Sequence, residues 1–91
     1  MDKSYKALAD PTRRKILELL RDRDHTAGEI ADEFPIAFAS VSHHLGILKD
    51  AELVLATREG QHIRYSLNTT VFQELVQNII GLAQRKGGRA K

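Results

Sequence analysis

Cysteine is absent from all 91 residues. That removes disulfides, thiolate metal sites and cysteine nucleophiles together, and it suits a chain kept in a reducing cytoplasm. No apolar run approaches the ~20 residues that span a bilayer, and Met1-Asp2-Lys3-Ser4 opens no signal-type apolar segment. A soluble, cytoplasmic protein is the expectation. No internal repeat is visible, and only Gln84-Arg85-Lys86-Gly87-Gly88-Arg89-Ala90-Lys91 is compositionally biased, as a frayed basic end would be. The histidines are scattered and the chain is too short for a deep cleft, so an enzyme is not expected. Residues 1–91 read as one small domain, of a size that often leans on oligomerisation.

Charge is distributed unevenly. Met1 to Arg23 carries seven basic residues against four acidic, a net +3, and Leu53 to Lys91 carries six against two, a net +4. Between them, Asp24 to Glu52 has Lys49 alone against Asp24, Glu29, Asp32, Glu33, Asp50 and Glu52, a net −5. Any contact of this middle segment with an anionic polymer must therefore draw its cations from the flanks, or from helix N-termini.

In chain order, Tyr5, Leu8 and Ala9 give residues 2–9 the apolar edge of a short helix. Asp10-Pro11 is an N-cap followed by proline at the first helical position. Ile16, Leu17, Leu19 and Leu20 bury the helix that follows, to about Asp22. Arg13, Arg14 and Lys15 near its start are either solvated surface or phosphate contacts. Arg21 to His25 reads as a polar connection. Thr26-Ala27-Gly28-Glu29 has the form of a capping box, opening a helix with Ile30, Ala31 and Phe34 on its apolar side and Pro35 at its end.

The next stretch, Phe38 to Asp50, divides at the helical period into Val41, Leu45 and Leu48 on one face and Ala39, Ser42, His43 and Gly46 on the other, with Ser40 beside them. The outer face carries short side chains where a surface helix usually carries long charged ones. Small donors and acceptors on a slim helix suit a major groove. Preceded by a short helix and a tight turn, this is a helix-turn-helix pattern.

The period then changes. Leu53 to Arg58 and His62 to Leu67 read as strands, with Gly60 at the tip free to take positive φ. The 54–67 hairpin is then a wing. Arg58 and Gln61, and less directly Arg64, can reach a minor groove or phosphates; Thr26, Ala27 and Phe38 are secondary DNA contacts. Asn68-Thr69-Thr70 caps a last helix through about Gln84. Val71, Phe72, Leu75, Val76, Ile79, Ile80, Leu82 and Ala83 make it apolar around more than half its circumference. One stripe serves a domain's own core, so the surplus points either to a subunit interface with the first helix or to a helix sunk deep in the monomer. The interface would take Tyr5, Leu8, Phe72, Leu75, Val76, Ile79, Ile80 and Leu82 from segments 2–9 and 69–85.

Ala9-Asp10-Pro11-Thr12-Arg13-Arg14-Lys15-Ile16-Leu17, Ser42-His43-His44-Leu45, Ile47-Leu48-Lys49, Leu53-Val54, Arg58-Glu59-Gly60-Gln61 and Tyr65-Ser66-Leu67 together resemble the ArsR-type family of small winged-helix bacterial repressors, over nearly the whole chain. Thr26-Ala27-Gly28, Ser40 and Asn68-Thr69-Thr70-Val71 are similar to that family's autorepressors of sporulation-delay immunity. The resemblance implies a mainly α fold with a β-hairpin, about five helices plus a two-stranded wing. It also implies a homodimer packed through its terminal helices, binding an inverted-repeat operator of double-stranded DNA. Ser42 and His43 match the DNA-facing pair, while His44 matches a histidine placed either in the core or at a base edge. Release by a membrane-bound sequestering partner is a further implication.

Two features depart from the family. Ala37 and Phe38 stand where relatives have a hydroxyl and a polar residue, which removes a cap; Phe38 either packs inward or meets a thymine methyl. The metal-sensing cysteines of the third helix and the Asp/His pairs of the last helix are missing, so no metal or cofactor is expected. Two alternatives stay open: a winged-helix protein-interaction module, and a metal-responsive repressor with a non-cysteine site.

Overall fold

A computed structural model describes residues Asp2 to Arg89. Helices α1 (Asp2–Leu8), α2 (Pro11–Asp22), α3 (Ala27–Ala31), α4 (Phe38–Asp50) and α5 (Thr69–Arg89) enclose strands β1 (His25–Thr26), β2 (Val54–Glu59) and β3 (His62–Leu67).

Local chemistry sets most boundaries. Asp10 is extended at φ −103° and accepts the Arg13 N–H at 3.1 Å, with Pro11 in the first turn of α2. Thr26 and Glu29 form the reciprocal box at the start of α3, with the Thr26 hydroxyl accepting the Glu29 N–H at 3.2 Å and the Glu29 carboxylate accepting the Thr26 N–H at 2.9 Å. Helix α3 stops at Ala31, well before Pro35. The Glu33 N–H reaches back to the Ile30 carbonyl and the Phe34 N–H to that of Ala31, tightening the chain into turns that fold Phe34 onto the core. At α4, Ala37 supplies no side-chain cap.

The far end of α4 closes by a pattern the sequence conceals. Glu52 adopts φ +62°, its N–H donates to the Lys49 carbonyl at 2.9 Å, and the Leu53 N–H donates to the Leu48 carbonyl at 3.0 Å. This is a Schellman closure with a glutamate where glycine is usual, sealed by packing of Leu53 with Leu48.

The sheet has three strands rather than two, in the order β1-β3-β2, antiparallel throughout. His25 pairs with Tyr65 and Thr26 with Arg64, so the segment read as a polar connection supplies an edge strand. Pairing drives His25 to 7% exposure, and its Nδ1 lies 2.9 Å from the Arg23 carbonyl oxygen. A carbonyl only accepts, so Nδ1 carries the proton. Val54–Leu67, Ala56–Tyr65 and Arg58–Ile63 share one face of the hairpin, while Leu55–Ser66, Thr57–Arg64 and Glu59–His62 share the other. Gly60, at φ +61°, makes the turn.

The core draws on every helix: Ala7, Ile16, Leu17, Leu20, Ile30, Val41, Leu45, Leu48, Ala51, Leu53, Val54 and Leu75. Leu75 corrects one expectation. It is 0% exposed in the single chain, packed inward with half-buried Val71 and Phe72, and cannot lie on a surface offered to a second subunit. Leu8 is likewise half-buried against the core. Helix α5 changes character along its length. Its first two turns serve the monomer, whereas Val76, Ile79, Ile80 and Leu82 stay 36–52% exposed.

Candidate nucleic-acid interface

Helix α4 is held from behind by Val41, Leu45 and Leu48. That seat turns Ala39, Ser40, Ser42, His43 and Gly46 to solvent, beside Phe38 at 55% exposure. Phe38 therefore packs outward, not into the core. A Cβ built on Gly46 would meet nothing within 4 Å. The glycine is thus not required by packing inside this chain; it leaves the helix flat on its outer side. Neither serine hydroxyl is held by another side chain among the described residues.

The wing adds cations unequally. Arg58 and Gln61 are exposed, and Arg58 has no ion pair among the described residues, whereas Arg64 Nε donates to Glu59 Oε1 at 2.9 Å on the opposite face. That hydrogen bond, with the Glu59 charge, raises the Arg64 pKa above its ordinary value. Arg64 thus comes to any phosphate already partnered. Thr26 and Ala27 are half-buried at the N-terminus of α3, where the Glu29 carboxylate already accepts the Thr26 N–H and the Thr26 hydroxyl the Glu29 N–H. Its bond from the Thr26 N–H outweighs desolvation and, with Arg23 at 3.9 Å, holds the Glu29 pKa below its ordinary value. A second anion gains little there.

Arg13 and Arg14 do something the sequence did not reveal. Arg14 reaches the Leu8 carbonyl at 2.6 Å. Arg13 spreads its fork over three targets: Nε donates to the Ala7 carbonyl at 2.8 Å, one terminal nitrogen to the Lys6 carbonyl at 3.1 Å, and the other approaches His44 Nδ1 at 3.1 Å. Both arginines close the C-terminal end of α1, where carbonyls lack helical partners and cations are favoured. Lys15 stays solvated, loosely paired with Glu18 at 3.8 Å. The only sequence clue was position: Arg13 lies one turn beyond a capping aspartate, beneath a chain reversal.

His44 is settled by the same contact. Guanidinium groups only donate, so Nδ1 accepts, the proton sits on Nε2 and the ring is neutral. Asp10 Oδ2 at 3.9 Å would favour a charged ring, but the shorter Arg13 contact decides the tautomer. Desolvation pushes the Asp10 carboxyl up; the Arg13 N–H it accepts and the Arg13 charge act against that, and its pKa ends below the ordinary value. With its side chain 17% exposed, His44 is turned inward against Arg13. The rings of His43 and His44 lie 6.0 Å apart and tilted by 54°, one outward and one inward.

Comparison with known proteins follows this geometry. Residues 10–55 match the family model described as "Bacterial regulatory protein, arsR family", a span running from the α2 cap to the start of the wing. The chain is 57% identical over 76 residues to the transcriptional repressor SdpR of Bacillus subtilis (strain 168), covering 84% of each. It is 38% identical over 81 residues to the HTH-type transcriptional regulator CmtR of Mycobacterium tuberculosis, covering 85% of this chain and 69% of that one. Among solved structures, an ArsR-like transcriptional regulator from Rhodococcus sp. RHA1 superposes with a TM-score of 0.86 at 25% identity, over 97% of this chain and 81% of that one.

Proposed function

The chain belongs to the arsR family of bacterial regulatory proteins and is a DNA-binding transcriptional repressor of that type, and we propose that it acts as a homodimer on an inverted-repeat operator controlling its own gene. Two copies of α4 enter successive major grooves about 34 Å apart. The observation that carries this is the outer face of α4: small, uncharged, flat at Gly46, and presenting the free hydroxyls of Ser40 and Ser42 beside the exposed His43 ring. Ser42 and His43 read base edges, Ala39 and Phe38 offer apolar contact to thymine methyls, and Arg58 and Gln61 hold the flanking backbone from the wing.

Dimerisation uses Tyr5 of α1 with Val76, Ile79, Ile80 and Leu82 of α5, whose exposed apolar surface is larger than a lone domain of this size needs. Repression is independent of metal. Support comes from the sequence, which has no cysteine to hold an ion as a thiolate. Among the described residues no helix is long and apolar enough to cross a membrane.

The test is titration of the purified protein on the DNA upstream of its own reading frame, across salt and with or without zinc. Tight sequence-specific binding with a steep salt slope and no zinc effect is expected. Zinc-driven release would replace it with a metal-responsive repressor. Acid supports a second reading, since Asp24, Glu29, Asp32, Glu33, Asp50 and Glu52 are all exposed around α3 and α4. A winged helix that binds a protein through this surface would show no specific DNA binding at all.

A further inference from the structure

The Arg13 fork joins three elements that sequence keeps apart. It holds the last carbonyls of α1, belongs to the first turns of α2, and meets an inward-facing ring on α4. No other side-chain hydrogen bond among the described residues links α4 to another helix; the remaining ones tie Arg14 to the end of α1, form local caps, or lie within the wing and its neighbours. Packing by Val41, Leu45 and Leu48 fixes the depth of α4 and which side of it faces in, but an apolar seat is non-directional and leaves small rotations about the helix axis. Rotation of the helix about its axis is constrained by a bond with an angle requirement, and Arg13 to His44 supplies it.

From this geometry we infer that Arg13 is a positioning residue for DNA recognition: by donating to neutral His44, it fixes the rotation of α4, and hence the aim of His43, relative to α1. The His44 ring lies beside His43 at 6.0 Å between centroids, so a turn of α4 that frees His44 also carries His43 away from the groove. Asp10 shares in the arrangement through its cap on the Arg13 N–H at 3.1 Å, which holds the first turn of α2 under the fork. Lysine cannot replace the guanidinium, because one ammonium cannot reach two backbone carbonyls and an imidazole in a planar fork. Since α1 also carries Tyr5 of the proposed subunit surface, the same bond ties the DNA-reading helix to the element that would set the spacing of the two copies.

The inference rests on α4 as the reading helix, and the experiment separates the two. Operators are first selected from a random-sequence DNA library by the wild-type protein; failure to enrich any sequence would sink the DNA-reading assignment itself. Affinity for the selected operator and for random duplex is then measured for Arg13→Lys, His44→Leu, His44→Asn and the Arg13→Lys/His44→Leu double variant. Arg13→Lys and His44→Leu should each lose about tenfold in operator affinity with random-duplex affinity unchanged, and the double variant should lose no more than either alone. His44→Asn, whose side-chain oxygen can stand near the Nδ1 position and accept the same proton, should recover most of the loss. Nitrogen-15 NMR of the wild-type imidazole should show Nδ1 as the unprotonated nitrogen. Additive losses, parallel losses on operator and random duplex, or a His44→Asn no better than His44→Leu would each overturn the inference. The pair of His44 variants decides it even if Arg13→Lys does not fold.

Discussion

Leu75 and Ile79 lie one turn apart on α5, and introducing the same charge at each should give opposite results. Val76, Ile79, Ile80 and Leu82 are 36–52% exposed. Burying a whole aliphatic side chain contributes about 1.5–3 kcal/mol. Covering the remaining surface therefore gives on the order of 1 kcal/mol each, or roughly 8 kcal/mol over the eight side chains of a symmetric pair. That gain stands against an association cost of about 4–15 kcal/mol, so the interface has little to spare. Ile79→Glu removes two of the eight and buries two unpaired carboxylates, at several kcal/mol more. In the monomer the new glutamate is solvated and nearly free of cost. Leu75→Glu is different, because Leu75 is 0% exposed: truncation alone would cost about 2–5 kcal/mol, and an unpaired buried carboxylate adds enough to consume the ~5–15 kcal/mol that holds a domain together. Sedimentation velocity with circular dichroism should find Ile79→Glu folded and monomeric, and Leu75→Glu unfolded. Operator affinity of Ile79→Glu should fall by orders of magnitude while each half-site still binds weakly. A folded, dimeric Ile79→Glu would place the subunit contact elsewhere.

His43→Ala should cost about 1–3 kcal/mol in operator binding and leave random-sequence affinity alone; equal losses on both, in a competition assay, would mean the ring reads no base. Glu52→Gly should stabilise the fold by about 1 kcal/mol, since a side chain at φ +62° costs about 1–2 kcal/mol and glycine returns part of that as chain entropy; scanning calorimetry should show a rise of about 4–8 °C, and a fall would remove the strain. The lowered carboxyl pKa values of Asp10 and Glu29 make their contribution complete above the ordinary carboxylate range and lost as pH falls through the lowered folded values. Asp10→Asn with Glu29→Gln keeps both caps, so urea titrations at neutral and acid pH should show a flatter acid limb than wild type; an unchanged limb would assign it to other groups.

Periodicity and capping are local properties, and the sequence alone determined what depends on them. Asp10-Pro11 started α2, the Thr26/Glu29 box started α3, and the spacing of Val41, Leu45 and Leu48 decided which side of α4 faces in and therefore which residues face solvent. Gly60 between alternating strands sufficed for the wing. Relations across the chain were legible only in space. His25-Thr26 had no strand pattern of their own; the open edge of β3 recruits them. Apolar residues around α5 could not be divided by sequence into those for the core and those left over, because the division depends on where the body of the domain ends, just past Leu75. Arg13, one cation among several, acquired its place only when α1 ended above it and His44 turned inward beside it. A side chain's own chemistry limits what it can do, but which partner it meets is decided by elements distant in sequence, and those come together only when the core closes.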